Sequence, residues 1–231
     1  EDFESASFDD HVKVFLPEPG ELKPTVPVAG PDGPVFDPAK PRPVARDFTP
    51  RRFDARLGEL WIDFYLHDVG PAATWATQAA VGQPLGVGGP RGSFIISPEA
   101  IDSHVLIGDE TALPAIGRRL EELPASARAL VVIESDGGST GYPLESRAAL
   151  ELVSVARGAR NEAAGGEIIE TLRSLKFPSG RCFTWVAAES QAARAIRRYL
   201  TDERGLDRHW IKAAGYWQRG AIGTHDTIHD E

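Results

Sequence analysis

Ten of the eighteen prolines in this chain fall between positions 17 and 50. Proline lacks a backbone donor and its ring clashes with the preceding turn, so helix is nearly excluded from that stretch. Strand and loop remain. Residues 11–16 (HVKVFL) and 60–66 (LWIDFYL) carry the β-branched and aromatic content of strands, and residues 84–87 fit a third strand before the turn GGPRGS. This pattern predicts an antiparallel β-barrel. Residues 23–42, rich in Pro, Gly and Ala, read as a long surface loop or insertion.

Past residue 98 the pattern changes. Short apolar runs at 104–107, 129–133, 149–155 and 182–187 read as strands. Helical spacing occupies 111–123, 167–175 and 191–200. Strands alternating with helices predict a parallel sheet covered by helices, so the chain divides into a barrel domain at 1–97 and an α/β domain at 98–231. A hydrophobic content of 42% gives both parts material for a core. The formal net charge of −9 and the pI near 5.2 argue against a nucleic-acid partner, which calls for a basic face. No apolar run approaches the ~18 residues of a membrane span and the first residues are acidic, so a cytoplasmic location is expected. The single cysteine, Cys182, has no partner for an internal disulfide and reads as a buried bystander. There is no methionine, which implies that something precedes residue 1 in the natural chain.

Four stretches carry the chemistry. In Arg46-Asp47-Phe48-Thr49-Pro50-Arg51, read as a strand, an arginine, an aromatic ring and a hydroxyl gather on one side. They offer a fork for phosphate, a flat apolar surface and a hydrogen-bonding group. A solvated Arg beside a core Phe accounts for the same residues. Further on, Gly70-Pro71 turns into a short helix after His67, with proline at a tolerated first-turn position and free amides suited to a pyrophosphate. Trp75 in that helix is more often core than stacking surface, and His67 alone is more often structural than catalytic. The glycines of Gly88-Gly89-Pro90-Arg91-Gly92-Ser93-Phe94 permit close backbone approach and Arg91 suits a phosphate, although a plain hairpin turn fits equally. The fourth stretch runs from Leu106 through Gly108, Asp109, Glu110, Thr111 and Ala112 to Ala115, from a strand into a helix. An open α/β sheet places its ligands at such a point, though this is not the GxGxxG fingerprint.

In this order and spacing the four stretches resemble the siderophore-interacting protein family, the ferric-siderophore reductases of the ferredoxin-reductase superfamily. The resemblance runs from about residue 42 to 220. Arg46 to Arg51 matches the family's Arg-x-Tyr-Thr-x-Arg, and Leu66 to Ala76 its Leu-His followed by Gly-Pro and Trp-Ala. Gly89 to Ser93 matches Gly-Pro-Arg-Gly-Ser, and Gly108 to Ile116 matches Gly-Asp-Glu-Thr-Ala-Leu-Pro-Ala-Ile. Trp185 to Ser190 resembles Trp-x-Ala-Gly-Glu-Ser, and Gly215 to Gly220 the Tyr-Trp-x-x-Gly ending. Phe48 stands where the family has Tyr, and Ala188 where it has Gly. The family's first strand pair is expected before residue 1.

The resemblance implies a ferredoxin-reductase-like fold, with an FAD-binding barrel followed by an NAD(P)H-binding domain, and reduction of a ferric siderophore. Arg46 would bind FAD phosphate, Phe48 would pack on the isoalloxazine, and Thr49, the catalytic candidate, would hydrogen-bond near flavin N5. His67, Gly70, Pro71, Ala72, Thr74 and Trp75 would hold the pyrophosphate and adenosine half. Asp109, Glu110, Thr111 and Ala112, with Glu189, would line the nicotinamide nucleotide site, and Tyr216 and Trp217 would lie near the flavin or the domain cleft. Lys212 and Arg219 would attract an anionic ferric chelate. Glu134, Ser135 and Asp136 follow a strand where acids suit a ribose 2′-hydroxyl, which favours NADH and leaves NADPH open. No protein metal site is needed, because Fe(II) leaves hard oxygen ligands readily. His225 and His229 read as part of a solvated acidic tail. A flavin or quinone reductase, a non-catalytic FAD or siderophore carrier, and a ferredoxin-reduced enzyme remain as alternatives.

Overall fold

The computed structural model describes residues 3–31, 33–66, 70–90, 92–97, 100–139, 141–158, 164–221 and 226–228. His67, Arg91, Pro98, His225 and His229 lie outside the described residues. The chain forms two compact units, Glu1–Phe94 and Ile95–Glu231.

The first unit is antiparallel. Its central strand β1 (Val12–Leu16) pairs on one side with β4 (Val44–Phe48) and on the other with β7 (Gly86–Gly88). Two hairpins complete its strands: β2 (Val28–Gly30) with β3 (Gly33–Val35), and β5 (Arg52–Asp54) with β6 (Glu59–Trp61). Side chains alternate along β1, so Val12, Val14 and Leu16 bury into one cluster with Val44, Phe48, Ile62, Phe64 and Leu85. Among the described residues no helix precedes α1 (Pro71–Gln78), as the proline density requires. The strand expected over 60–66 pairs only through Glu59–Trp61. Ile62 and Phe64 then continue inward without a ladder, so their alternation records burial and not pairing.

The second unit is a six-stranded sheet in the order β10-β9-β8-β11-β12-β13. β8 (Ser103–Asp109), β9 (Arg128–Ser135), β10 (Ala149–Ala156), β11 (Cys182–Glu189) and β12 (Ile211–Trp217) are parallel, and β13 (Asp226–Ile228) adds an antiparallel edge. Helices α2 (Leu113–Glu122), α3 (Gly166–Ser174) and α4 (Ser190–Arg198) connect them. β8 is buried at every residue, the continuous apolar run of a strand covered on both faces. β12 has no counterpart among the expected strands. Its Ala213-Ala214-Gly215 centre is poor in strand-forming side chains, and small residues are needed there because a Cβ on Gly215 would lie 2.3 Å from Ser190 Oγ. The architecture is the expected one, an antiparallel unit followed by a parallel α/β unit.

Candidate functional site

Two sets of functional side chains are described, one in each unit. In the first, β4 projects Arg46 and Phe48 from one face, opposite Val14 and Val12 of β1. β4 ends at Phe48, so Thr49 lies past the strand and at an odd spacing. This corrects the single-face reading of the three residues. Thr49 is nevertheless buried, at 8% exposure. The Phe48 ring packs 4.3 Å from Phe64, which packs 5.6 Å from Trp75, so half-buried Phe48 and Trp75 belong to the core cluster. Asp47 is taken by Lys13 at 2.7 Å. Half-buried Arg46 donates to its neighbour's carbonyl, Ala45 O, at 2.7 Å, and among the described residues no ion pair engages it. Desolvation lowers its pKa, against the raising effect of Asp47.

Helix α1 opens on Gly70, whose φ of 149° favours glycine, followed by Pro71. No side chain caps it, so the amides of its first turn, Ala72 and Ala73 among them, have no helical partners. Ala72 packs on the β1 cluster that also takes Phe48. A half-buried arginine without an ion pair among the described residues, a buried hydroxyl three residues on and an uncapped helix start fit a bound dinucleotide phosphate. A separate groove of about 390 Å³, lined by Phe15, Lys23, Pro24, Val26 and Pro84, includes Phe15, which alternates away from this face of β1.

In the second unit the sheet order reverses between β8 and β11, the switch point at which doubly wound sheets bind ligands outside the carboxyl ends. Asp109 and Glu189 end those two strands. Both carboxylates are committed within the chain. Asp109, 3% exposed, accepts from Thr111 N at 2.9 Å, from the Thr111 hydroxyl, from Glu189 N at 3.2 Å and from Trp217 Nε1 at 2.8 Å. Burial raises its pKa while those hydrogen bonds pull the other way. Glu189 caps α4, accepting from Gln191 N at 2.7 Å and Ala192 N at 3.1 Å, and its other oxygen accepts from Arg219 N at 3.2 Å. Thus Asp109, Thr111, Glu189, Trp217 and the Arg219 backbone come together. Ala112 packs against Gly108, where an added Cβ would meet Ala112 Cβ and the Ala187 carbonyl oxygen, each at 2.5 Å.

Glu110 turns elsewhere. It accepts from Asp136 N at 2.8 Å and pairs with Arg157, which also reaches Glu134 at 3.2 Å and Asp136 at 3.0 Å. The three acids hold the Arg157 guanidinium well above its usual pKa, although its burial opposes them. The expectation of NADH rested on Glu134 and Asp136 as acids at this strand end, and both are engaged by Arg157. Sequence reasoning missed Arg157, which falls just beyond β10, because nothing local to it marks three distant carboxylates as partners. The pair taken to attract the chelate is spread along β12 and past its end. Lys212 is the second residue of β12 and Arg219 lies beyond its carboxyl end. At ~3.3 Å per residue, roughly 17 Å separates Lys212 from Trp217.

The sequence pattern for siderophore-interacting proteins matches residues 101–220, and that for the siderophore-interacting FAD-binding domain matches residues 1–94. The chain belongs to the siderophore-interacting protein family. It is 35% identical to the NADPH-dependent ferric-chelate reductase of Escherichia coli over 93% of this chain and 82% of that protein. It is 30% identical to the ferric vibriobactin reductase of Vibrio cholerae, over 96% of this chain and 80% of that one. A siderophore utilization protein from T. fusca has the same fold at a TM-score of 0.81, with 37% identity over 96% of this chain and 84% of that one.

Proposed function

We propose that this protein is an FAD-dependent ferric-siderophore reductase with NADPH as its electron donor. The observation that carries the reading is the extent of the family match, which runs through both units and not only through the nucleotide-binding motifs. Two relatives matched over most of their length are named as reductases of ferric chelates, one of them NADPH-dependent.

Bound FAD and NADPH supply the redox chemistry, a hydride to the flavin and then single electrons to chelated Fe(III). The chain supplies binding and orientation. Arg46 neutralises FAD phosphate, the open start of α1 at Gly70, Pro71 and Ala72 receives the pyrophosphate with Thr74 behind it, and half-buried Phe48 gives one flank of its ring to the flavin. The Thr49 hydroxyl hydrogen-bonds near flavin N5. In the second unit Thr111 and Trp217, steadied by Asp109, line the nicotinamide crevice at the switch point, with Glu189 holding α4 behind it. The anionic chelate is met by Arg219.

The test is to load the protein with FAD and follow the visible flavin band anaerobically on addition of NADPH or NADH, then add a ferric siderophore with an Fe(II)-specific chelator. Bleaching by NADPH followed by reoxidation and Fe(II) release is expected. Arg46→Ala should lose FAD on gel filtration, as a charge-assisted phosphate contact is worth roughly 1.5–3 kcal/mol. A flavin that stays oxidised with both nucleotides would overturn the reading and leave a carrier or a ferredoxin-reduced enzyme.

A further inference from the structure

We infer that Asp10 is a positioning residue of the flavin site, holding the turn after β7 beside the end of β4; this rests on the FAD-binding reading above. The antiparallel ladders carry the first step. β1 lies between β4 and β7, with Val12 opposite Phe48 and Lys13 opposite Gly88. The carboxyl ends of β4 and β7 therefore both arrive at the amino end of β1. Neighbouring strands run ~4.8 Å apart, so the Phe48-Thr49 exit and the Gly88-Gly89 exit stand roughly 10 Å from each other. Two stretches some forty residues apart in sequence are brought to one edge of one sheet.

Asp10 sits at that edge, two residues before β1, with 3% exposure. Its Oδ2 accepts from Ser5 Oγ at 2.8 Å, from Ser7 N at 3.1 Å and from Ser93 Oγ at 2.7 Å. Ser93 Oγ in turn accepts from Ala6 N at 3.3 Å, and Ser7 Oγ donates to Phe94 O at 2.7 Å. The turn is thus fixed at both ends, by the β1 ladder at Gly88 and by the carboxylate at Ser93. Between these anchors Gly89 takes a φ of 102°, and a Cβ on Gly92 would meet nothing within 4 Å, leaving its backbone open to a ligand. A carboxylate near a phosphate would ordinarily repel it. Here the donors on Oδ2 turn the carboxylate inward, and it acts on the ligand only through the turn that it orders.

That distinction sets the experiment. Asp10→Asn removes the charge with little change of shape, and Ser93→Ala removes the hydroxyl that donates to Asp10 and accepts from Ala6 N while leaving the carboxylate in place. Dissociation constants for FAD and for riboflavin, which has no phosphate, are measured by fluorescence quenching, with the thermal midpoint of the flavin-free proteins alongside. If Asp10 positions the turn, both variants bind FAD at least tenfold more weakly and riboflavin within twofold of the parent, with midpoints close to it. Simple electrostatic relief predicts tighter FAD binding by Asp10→Asn, and that result would overturn the inference. So would FAD binding unchanged in both variants, or an equal loss for FAD and riboflavin, the mark of a general support of the fold. Should Asp10→Asn not fold, Ser93→Ala decides by the same criteria. Parent protein that takes up no FAD would sink the FAD-binding reading itself, whereas parent that binds FAD alongside equally competent variants would sink only the role of Asp10.

Discussion

His104 is the ionisable side chain whose cost of burial is clearest. It is 1% exposed on β8, with Phe183 edge-on at 6.4 Å between ring centres. Burial, aided by the charge of Arg119, holds its pKa at about 4, below the ordinary 6.5. The folded pKa lies below the unfolded one, so the unfolded chain takes up a proton first as pH falls from 6.5, and stability drops until about pH 4. At about 1.36 kcal/mol per unit the full loss is about 3 kcal/mol. His104→Phe removes the proton site, and its urea unfolding free energy should fall by about 2–3 kcal/mol less than that of the parent between pH 7.5 and 4.5. Equal pH dependence in the two proteins would show that folding does not shift the His104 pKa. The same scale explains what sequence reading does with carboxylates. Asp109 and Glu189 stand out in sequence because they end apolar strands at the switch point, but the sequence does not reveal that their oxygens are filled by Trp217 and Arg219, which come from another strand end.

At the scale of elements, legibility followed the content of bulky apolar and β-branched side chains. β8, β9 and β11 are apolar runs inside a two-sided cover and were readable almost to their ends. β12 was not, since its Ala-Ala-Gly centre records the close approach of Ser190 on α4 and not a strand preference. The exit of β8 makes the same point with a measurable consequence. Gly108 pairs with Ala187 of β11 in the parallel ladder, and an added methyl group would meet the Ala187 carbonyl oxygen and Ala112 Cβ, each at 2.5 Å. Neither is the far end of a flexible side chain, so the strand or the turn must move. Gly108→Ala is expected to cost about 1–3 kcal/mol of stability by overpacking. Because the turn carries Thr111, the variant should also bind NADP⁺ at least tenfold more weakly in calorimetry while keeping its FAD. Unchanged NADP⁺ binding in a destabilised variant would separate this turn from the nucleotide site.

At the scale of the molecule, the proposed function sets a net charge of −9 against an anionic chelate, and range decides which charges count. The Debye length is about 8 Å at physiological ionic strength, so most of the chain's negative charge is screened from a chelate docked at one edge of the sheet. Local cations then govern. Arg219 is exposed just beyond the carboxyl end of β12, where its own amide is fastened to Glu189. Lys212 is near the opposite end of that strand, roughly 17 Å from Trp217 and so about two Debye lengths away. The two residues, equivalent as basic letters in the sequence, are therefore separable. Raising salt from 0.15 to 0.5 M should increase KM for an anionic ferric siderophore in the parent protein and leave a neutral quinone unaffected. Arg219→Ala should raise the siderophore KM at 0.15 M severalfold and flatten its salt dependence, while Lys212→Ala keeps the parent's slope. If Lys212→Ala flattens the slope and Arg219→Ala does not, the chelate docks at the amino edge of the sheet. Parallel losses on the quinone would show that Arg219 supports the reductase in some other way than by attracting the chelate.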